Sequence, residues 1–570
     1  MKIYCRMTRS SPNNLQVDVK GLNLSFKNGN QFTQVLHDVD IQLHKDEILA
    51  IVGESGSGKS VTSKILMGLL DTRQIQVHAK KSIVLEKDVL KMDAGEWARF
   101  RGSEISMIFQ EPMSSLNPTI TCGQQVAEIL KIHTQLNAKE RHQTVLELFE
   151  KVKLPSPEVT YQKYPHEISG GQMQRVMIAM AVACKPKILI ADEPTTALDV
   201  TVQREIILLL KSLQKEYGMS IVFISHDLSL VRSIADRIMV MYQGRLVETN
   251  DAQDLFQNPQ EQYTKALIAA RPETDRRLKR LPTIRDFMEK RPVEQVESTS
   301  QRKERHHEMY RGVPILKVDS VVKDYALKKK LFQPRHYFRA VDNVSFELYK
   351  GESLGLVGES GCGKSTLGNM ILGLLPVTSG QMVFENQDLS QISSNALRKL
   401  RKKIQIIFQD PFASLNPRLK IGDAIMEPMK WHGIGSSDKD RRHRVEQLLE
   451  RVGLDSSYFD RYPHEFSGGQ RQRIGIARAV ALEPELIVCD ESVSALDISV
   501  QAQVLNLLNE FKEDLGFSYI FISHDLGVVK YFCDRVIVMN KGKIEEQNEA
   551  DELYLNPQKE YTKKLIEAIP

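Results

Sequence analysis

Two octapeptides, GESGSGKS at 53–60 and GESGCGKS at 358–365, carry residue types suited to holding phosphate. Each fits G-x-x-x-x-G-K-[ST], and each closes a short apolar run, ILAIVG at 48–53 and SLGLVG at 353–358. Glycines let backbone N–H groups wrap an anion, and a helix starting behind the loop aims its positive end at it. The candidate nucleotide-binding residues are Gly53, Glu54, Ser55, Gly56, Ser57, Gly58, Lys59, Ser60 and Val61. Their counterparts are Gly358, Glu359, Ser360, Gly361, Cys362, Gly363, Lys364, Ser365 and Thr366. Lys59 and Lys364 are placed to bridge the β- and γ-phosphates, and Ser60 and Ser365 to ligate Mg²⁺.

Asp192 and Asp490 end the apolar runs KILIAD and ELIVCD, where a carboxylate reaches Mg²⁺ directly or through water. Glu193 and Glu491 come next and are placed to polarise an attacking water; the competing reading for these carboxylates is a turn cap. His226 and His524 follow SIVFIS and SYIFIS at matching positions, which favours a γ-phosphate contact over an ordinary surface histidine. Gln110 and Gln409 also end apolar runs, and orient water and Mg²⁺ or cap a turn. Ser169-Gly170-Gly171-Gln172 and Ser467-Gly468-Gly469-Gln470 precede helical apolar patterns. Glycines and a serine hydroxyl before a helix make a second anion site, and its spacing does not say whose phosphate it binds.

The elements that must position these groups come twice. FQEP and FQDP, YPHEISGGQ and YPHEFSGGQ, and FISHDL recur in one order. Lys364 follows Lys59 by 305 residues, Gln409 follows Gln110 by 299, and His524 follows His226 by 298. That period is far too long for a solenoid unit and means two copies of one domain. The copies span 14–272 and 313–570, and the charged stretch 273–312, with RRLKR and few large apolar residues, reads as a solvated linker. Within each copy, short apolar strands alternate with helical patterns, which predicts α/β domains whose sheets are covered on both faces.

The chain has 570 residues, 41% hydrophobic and 26% charged, a composition that excludes a mostly disordered protein. A net charge of +4 on 77 basic and 73 acidic residues gives no support for a nucleic-acid binder. Apolar runs fall short of a membrane-spanning helix, so a cytoplasmic location is expected. The six cysteines are scattered, without a C-x-x-C pair, and read as small buried hydrophobes with one loop position at Cys362.

The ordered set of phosphate loop, glutamine, SGGQ, Asp-Glu, ALD and SHD resembles the ATP-binding cassette family across both copies. The resemblance implies two tandem P-loop NTPase domains. Each would have a mostly parallel sheet core, an antiparallel β subdomain and a helical subdomain. It implies ATP and Mg²⁺, with Ser60, Gln110, Asp192, Ser365, Gln409 and Asp490 around the metal. It further implies that the cassettes close head to tail. Lys59, Gln110, Asp192, Glu193 and His226 would then work with Ser467, Gly468, Gly469 and Gln470. The mirror set would join Lys364, Gln409, Asp490, Glu491 and His524 to Ser169, Gly170, Gly171 and Gln172. Phe26 and Tyr325 are the expected adenine-stacking aromatics.

FQ(E/D)P-x-x-SLNP, YPHE-x-SGGQ and the ends NPQEQYTKALI and NPQKEYTKKLI look like those of dipeptide, oligopeptide and nickel importers. A fused pair is similar to the ATPase subunit of microcin C-uptake-type peptide importers. That implies ATP hydrolysis driving uptake of a peptide-like solute. The chain would act at the cytoplasmic face of the inner membrane, through two separate transmembrane permease subunits and, indirectly, a solute-binding protein. No obligatory second ATPase chain is expected. Met113–Asn117 and Phe412–Asn416 are the implied permease contacts. The alternatives are a twin-cassette soluble translation factor, against which the short, proline-containing linker argues, and an importer of nickel or another solute. Export is set aside only by the resemblance. Between Gln and SGGQ the intervals of 59 and 58 residues leave no room for the insertion of a DNA-repair cassette.

Overall fold

The computed structural model describes residues 14–29, 31–196, 198–270, 277–289, 291, 296–326, 336–410, 414–493 and 496–569. They form two compact units that divide near Ile268.

In the first unit the apolar runs become the middle of a six-stranded sheet. Its spatial order is Arg245–Asp251, Arg237–Tyr242, Ile48–Val52, Ser220–Ile224, Ile188–Asp192, Ile105–Ile108. The last five are mutually parallel, and Arg245–Asp251 closes one edge antiparallel to its neighbour. Every residue of Ile48–Val52, Ser220–Ile224 and Ile188–Asp192 is buried, which explains why these runs show no polar alternation. The second unit repeats the order with Lys543–Glu549, Arg535–Asn540, Ser353–Val357, Ser518–Ile522, Leu486–Asp490 and Ile404–Ile407. Phe223 and Phe521 lie fully buried in the two sheets, where truncation to alanine would cost about 3–5 kcal/mol.

Each unit adds an antiparallel sheet, built on the pairs Leu15–Asn28 with Gln31–His44 and Leu316–Ala326 with Tyr337–Leu348. Each also inserts helices between its edge strand and the strand that ends in aspartate. In the first unit these include Cys122–His133, Ala138–Lys151 and Gly170–Val182. In the second they include Ile421–Trp431, Asp438–Arg451 and Gly468–Val480. The α/β class, the parallel cores and both kinds of subdomain are thus as expected.

The stretch between the copies departs from expectation. Instead of running through solvent, its described residues pack on the second unit, with Leu281, Ile284, Asp286, Arg302 and His306 all buried. Leu281 exchanges two 2.8 Å hydrogen bonds with the Asn506 side-chain amide. Arg305 and His306, on the helix Thr299–Met309, reach the carboxylate of buried Asp534 at 2.7 and 3.2 Å. The charges that suggest solvation in the sequence find a buried partner. Residues 273–276, 290 and 292–295 of this stretch, with Pro292, lie outside the described residues, as do Cys5 and Phe412.

Candidate functional site

In each unit the predicted groups gather at the carboxyl ends of four neighbouring parallel strands. That edge is where open α/β sheets bind ligands. The loop 53–58 leaves Ile48–Val52 and enters the helix Lys59–Leu66. Gly53 has φ 149°, and a Cβ there would lie 2.1 Å from the Met241 carbonyl oxygen, so only glycine fits. At Gly56 a Cβ would meet nothing, which leaves the tip of the loop open. The Lys59 ammonium donates to the carbonyls of Gly53 and Glu54 at 2.7 and 2.8 Å, and Lys364 to Gly358 and Glu359 at 2.7 and 2.9 Å. Each lysine is thereby held over its own loop.

Behind the lysine, the Ser60 hydroxyl donates to Asp192 Oδ1 at 2.9 Å, and Ser365 to Asp490 Oδ1 at 3.0 Å. Burial raises the Asp192 carboxyl above its ordinary value against the Ser60 bond, and the charge of Glu193 adds to the rise. Asp490 is raised for the same reasons beside Ser365 and Glu491.

Glu193 is the centre of a tight group. Its Oε2 accepts from Gln110 Nε2 at 2.9 Å and Thr196 Oγ1 at 3.0 Å, and lies 3.2 Å from His226 Nδ1. In the second unit, Gln409 donates to Glu491 Oε2 at 2.8 Å and His524 Nδ1 lies 3.5 Å from it. Burial alone would raise the Glu193 carboxyl. The His226 bond and charge, with Lys59 and Thr196, outweigh burial and hold it at about 2. Glu491 is lowered against its own burial by His524 and Lys364. Both glutamates sit in the left-handed region, at φ 48° and 47°, each anchored by its N–H to a strand carbonyl, that of Ile224 or Ile522. A non-glycine residue held so is a local strain of the kind that gathers at functional sites.

The two SGGQ segments start the helices Gly170–Val182 and Gly468–Val480. Ser169 Oγ accepts from the Gln172 N–H and the Gln172 side chain accepts from the Ser169 N–H; Ser467 and Gln470 do the same. This reciprocal cap uses two N–H donors of the helix start, those of the serine and the glutamine, and not those of the two glycines between them. A Cβ on Gly469 would meet Val500 at 2.6 Å, whereas Gly170 and Gly468 have open space.

The remaining expected residues are placed as follows. Phe26 is half-buried in the antiparallel sheet, opposite Thr33 and against the core. Tyr325 pairs with Phe338, with the Lys323 ammonium 5.4 Å from its ring. Met113 is 66% exposed on the short helix Pro112–Ser115 that follows Gln110, while Leu116 is buried. Thr196 was not foreseen; the second threonine of the stretch after Glu193 was its only signal. Also unforeseen, Tyr263 and Tyr561 touch the phosphate loops; they are the tyrosines of the repeated YT-x-x-LI ends.

Residues 36–196 and 341–494 match the ABC transporter family, and 247–295 match the oligopeptide/dipeptide transporter C-terminal region. The chain belongs to the ABC transporter family. Its two cassettes are 44% identical, over 565 residues, to the glutathione import ATP-binding protein GsiA of Salmonella choleraesuis. That alignment spans 97% of this chain and 89% of the relative. The protein of the same name from Escherichia coli K12 is also 44% identical, over 561 residues and the same shares. A solved ATP-binding cassette, dimeric in a post-hydrolysis state with ADP and Pi, is 30% identical with a TM-score of 0.38 over 41% of this chain and 98% of that one. This ABC transporter chain is an ATP-binding subunit of the peptide-importer type, and its activity is ATP hydrolysis. Among the described residues no helix is long and apolar enough to cross a membrane.

Proposed function

We propose that each cassette hydrolyses ATP at the carboxyl edge of its parallel sheet. The observation that carries this is the duplicated arrangement of lysine-held loop, Ser–Asp pair and Gln–Glu–His cluster. Lys59 and Lys364 exchange loop carbonyls for β- and γ-phosphate oxygens, with the loop N–H groups around them. Ser60 with Asp192, and Ser365 with Asp490, offer hard-oxygen ligands of the sort Mg²⁺ takes a few at a time, which fits the ion to this edge. Held by these residues, Mg²⁺ would supply charge neutralisation to the phosphates. Gln110 and Gln409 reach the same place from the neighbouring strand.

Glu193 and Glu491 orient the attacking water. Neighbouring His226 and His524 keep these buried carboxylates charged, as an acceptor for the water requires. Each accepts the water's hydrogen bond and aims its lone pair in line with the γ-phosphorus. His226 and His524 fix the carboxylate and contact the γ-phosphate. Phe26 and Tyr325 are proposed to flank the adenine. Each SGGQ serves the ATP of the other cassette, its glycine N–H groups and serine hydroxyl completing the phosphate shell.

The energy is used for uptake of a peptide or peptide-like solute through two permease subunits, served by a solute-binding protein, at the cytoplasmic face of the inner membrane. Support comes from the match to the oligopeptide/dipeptide C-terminal region and from relatives named for the import of glutathione, itself a tripeptide. Glu193→Gln and Glu491→Gln should each lower ATPase activity about tenfold or more while ATP still binds. Cells carrying either variant should lose uptake of a labelled peptide panel that includes glutathione. Unchanged hydrolysis in a folded, ATP-binding variant would refute the catalytic assignment at that cassette. Uptake unaffected by loss of the gene would refute the import assignment.

A further inference from the structure

Residue 54 of the phosphate loop is held from both sides of its backbone. Its carbonyl accepts from the Lys59 ammonium, and its N–H donates to the hydroxyl of Tyr263 at 3.2 Å. The second cassette repeats this, with the Glu359 N–H donating to Tyr561 at 3.2 Å. Neither tyrosine belongs to the nucleotide motifs. They lie 209 and 202 residues from their partners, in the first turns of the helices Gln262–Ala269 and Glu560–Glu567.

The approach to those helices is itself fixed. On the antiparallel edge strand, the Glu248 carboxylate accepts from the N–H groups of Gln260 and Glu261 at 2.9 and 3.1 Å. Glu546 does the same for Gln558 and Lys559 at 2.9 and 3.0 Å. In the first cassette the ring of Tyr242 lies 4.2 Å from that of Tyr263, whereas Asn540 ends the corresponding strand of the second. Four links therefore run from edge-strand carboxylate to helix start, to tyrosine hydroxyl, to loop peptide, to catalytic-site lysine. A hydrogen bond made twice, at matching positions far apart in sequence, is more than surface packing requires.

We infer that Tyr263 and Tyr561 are positioning residues for ATP. Each holds the shoulder of its phosphate loop through the residue 54 or 359 peptide, and so presets the lysine for the phosphates. The inference rests on the reading of these loops as ATP sites. It gives the C-terminal segment of each cassette a direct line to nucleotide affinity. Because the hydroxyl touches loop backbone and no reacting atom, its removal should weaken binding more than it slows chemistry.

The test is the double variant Tyr263→Phe/Tyr561→Phe in the full chain, which keeps both rings and removes two hydroxyls. Amide exchange in the loops 53–58 and 358–363 should quicken, the KM for ATP should rise about two- to tenfold, and kcat and Tm should stay near wild type. Loop exchange unchanged at unchanged Tm would overturn the inference. So would exchange that rises evenly through both cassettes with a fall in Tm, which would mark the tyrosines as packing alone. Tyr263→Ala/Tyr561→Ala, which does remove packing, provides the reference for that outcome. If the wild-type chain hydrolysed no ATP, the catalytic proposal would fail, and loop exchange would still decide this one.

Discussion

Glu193 and His226 show how one contact sets the chemistry of a site. The carboxyl is buried, which by itself favours the neutral acid, yet it lies at about 2 because His226, Lys59 and Thr196 surround it. Its folded value is below its ordinary value of 4.5, so its charged form stabilises the fold fully above that pH. That contribution is given up as pH falls from there toward 2. Removing the histidine removes the leading stabiliser of the charge and leaves the burial. In a Glu491→Gln background, His226→Ala should therefore move the acid limb of ATPase activity upward by about one pH unit or more. A pH–rate profile of the residual activity checks this, and an acid limb that did not move would assign the low value to other groups. The two cassettes differ next to these glutamates, with Pro194 in one and Ser492 in the other. Proline would stiffen that turn, but Glu193 and Glu491 take the same φ within a degree. The strand carbonyls that bind their N–H groups fix the backbone without the ring.

At the scale of elements, the segment before the second cassette is part of its core. Asp534, fully buried, accepts from Arg305 and Lys512, lies beside His306, and caps the strand Ser353–Val357 through the Ser353 N–H. Burial pushes its carboxyl up, but Lys512, His306, Arg305 and Arg277 together hold it well below the ordinary carboxylate range. A depressed carboxyl stabilises at all pH values above its unfolded value near 3.9, and the effect fades as pH drops below that. Asp534→Asn should thus cost about 3–5 kcal/mol at pH 7 and about 1 kcal/mol less near pH 3, read as the pH dependence of Tm for variant and wild type. An equal loss at both pH values would show that shape, not charge, is what the site needs. This element was illegible in the sequence for a physical reason. Arg305 and His306 read as solvated until Asp534, 228 or more residues away, supplies the counter-charge, and Arg302 until Glu549 and Asp551 do the same for it. The parallel sheets were legible because full burial leaves unbroken apolar runs, and the phosphate loops because Gly53 and Gly58 tolerate no side chain. Tyr263 and Tyr561 could be seen to repeat, but their bond to the loop crosses some two hundred residues and has no local pattern.

At the scale of the whole molecule, each cassette carries one lysine-held loop and one SGGQ helix start, and the chain joins two such sets. If the two cassettes meet as proposed, fusion would make that meeting intramolecular, with an effective concentration set by the linker and not by expression level. That supports the proposal that no second ATPase chain is needed. It also makes the proposed crossing of the sites testable within one polypeptide. Lys59→Ala removes the phosphate-bridging charge of the first loop, and Ser467→Arg fills the serine position of the second SGGQ. If both serve one ATP, the double variant should bind nucleotide at that site scarcely worse than the more damaged single variant. The coupling should then be about 0.5–3 kcal/mol, against near-additive losses for separate sites. Lys59→Ala with Ser169→Arg is the control: those residues would serve different ATPs, and their losses should add. Nucleotide titration of the purified chain separates the cases. Additivity for Lys59 with Ser467, and coupling for Lys59 with Ser169, would mean that each cassette completes its own site and that the crossed arrangement is wrong.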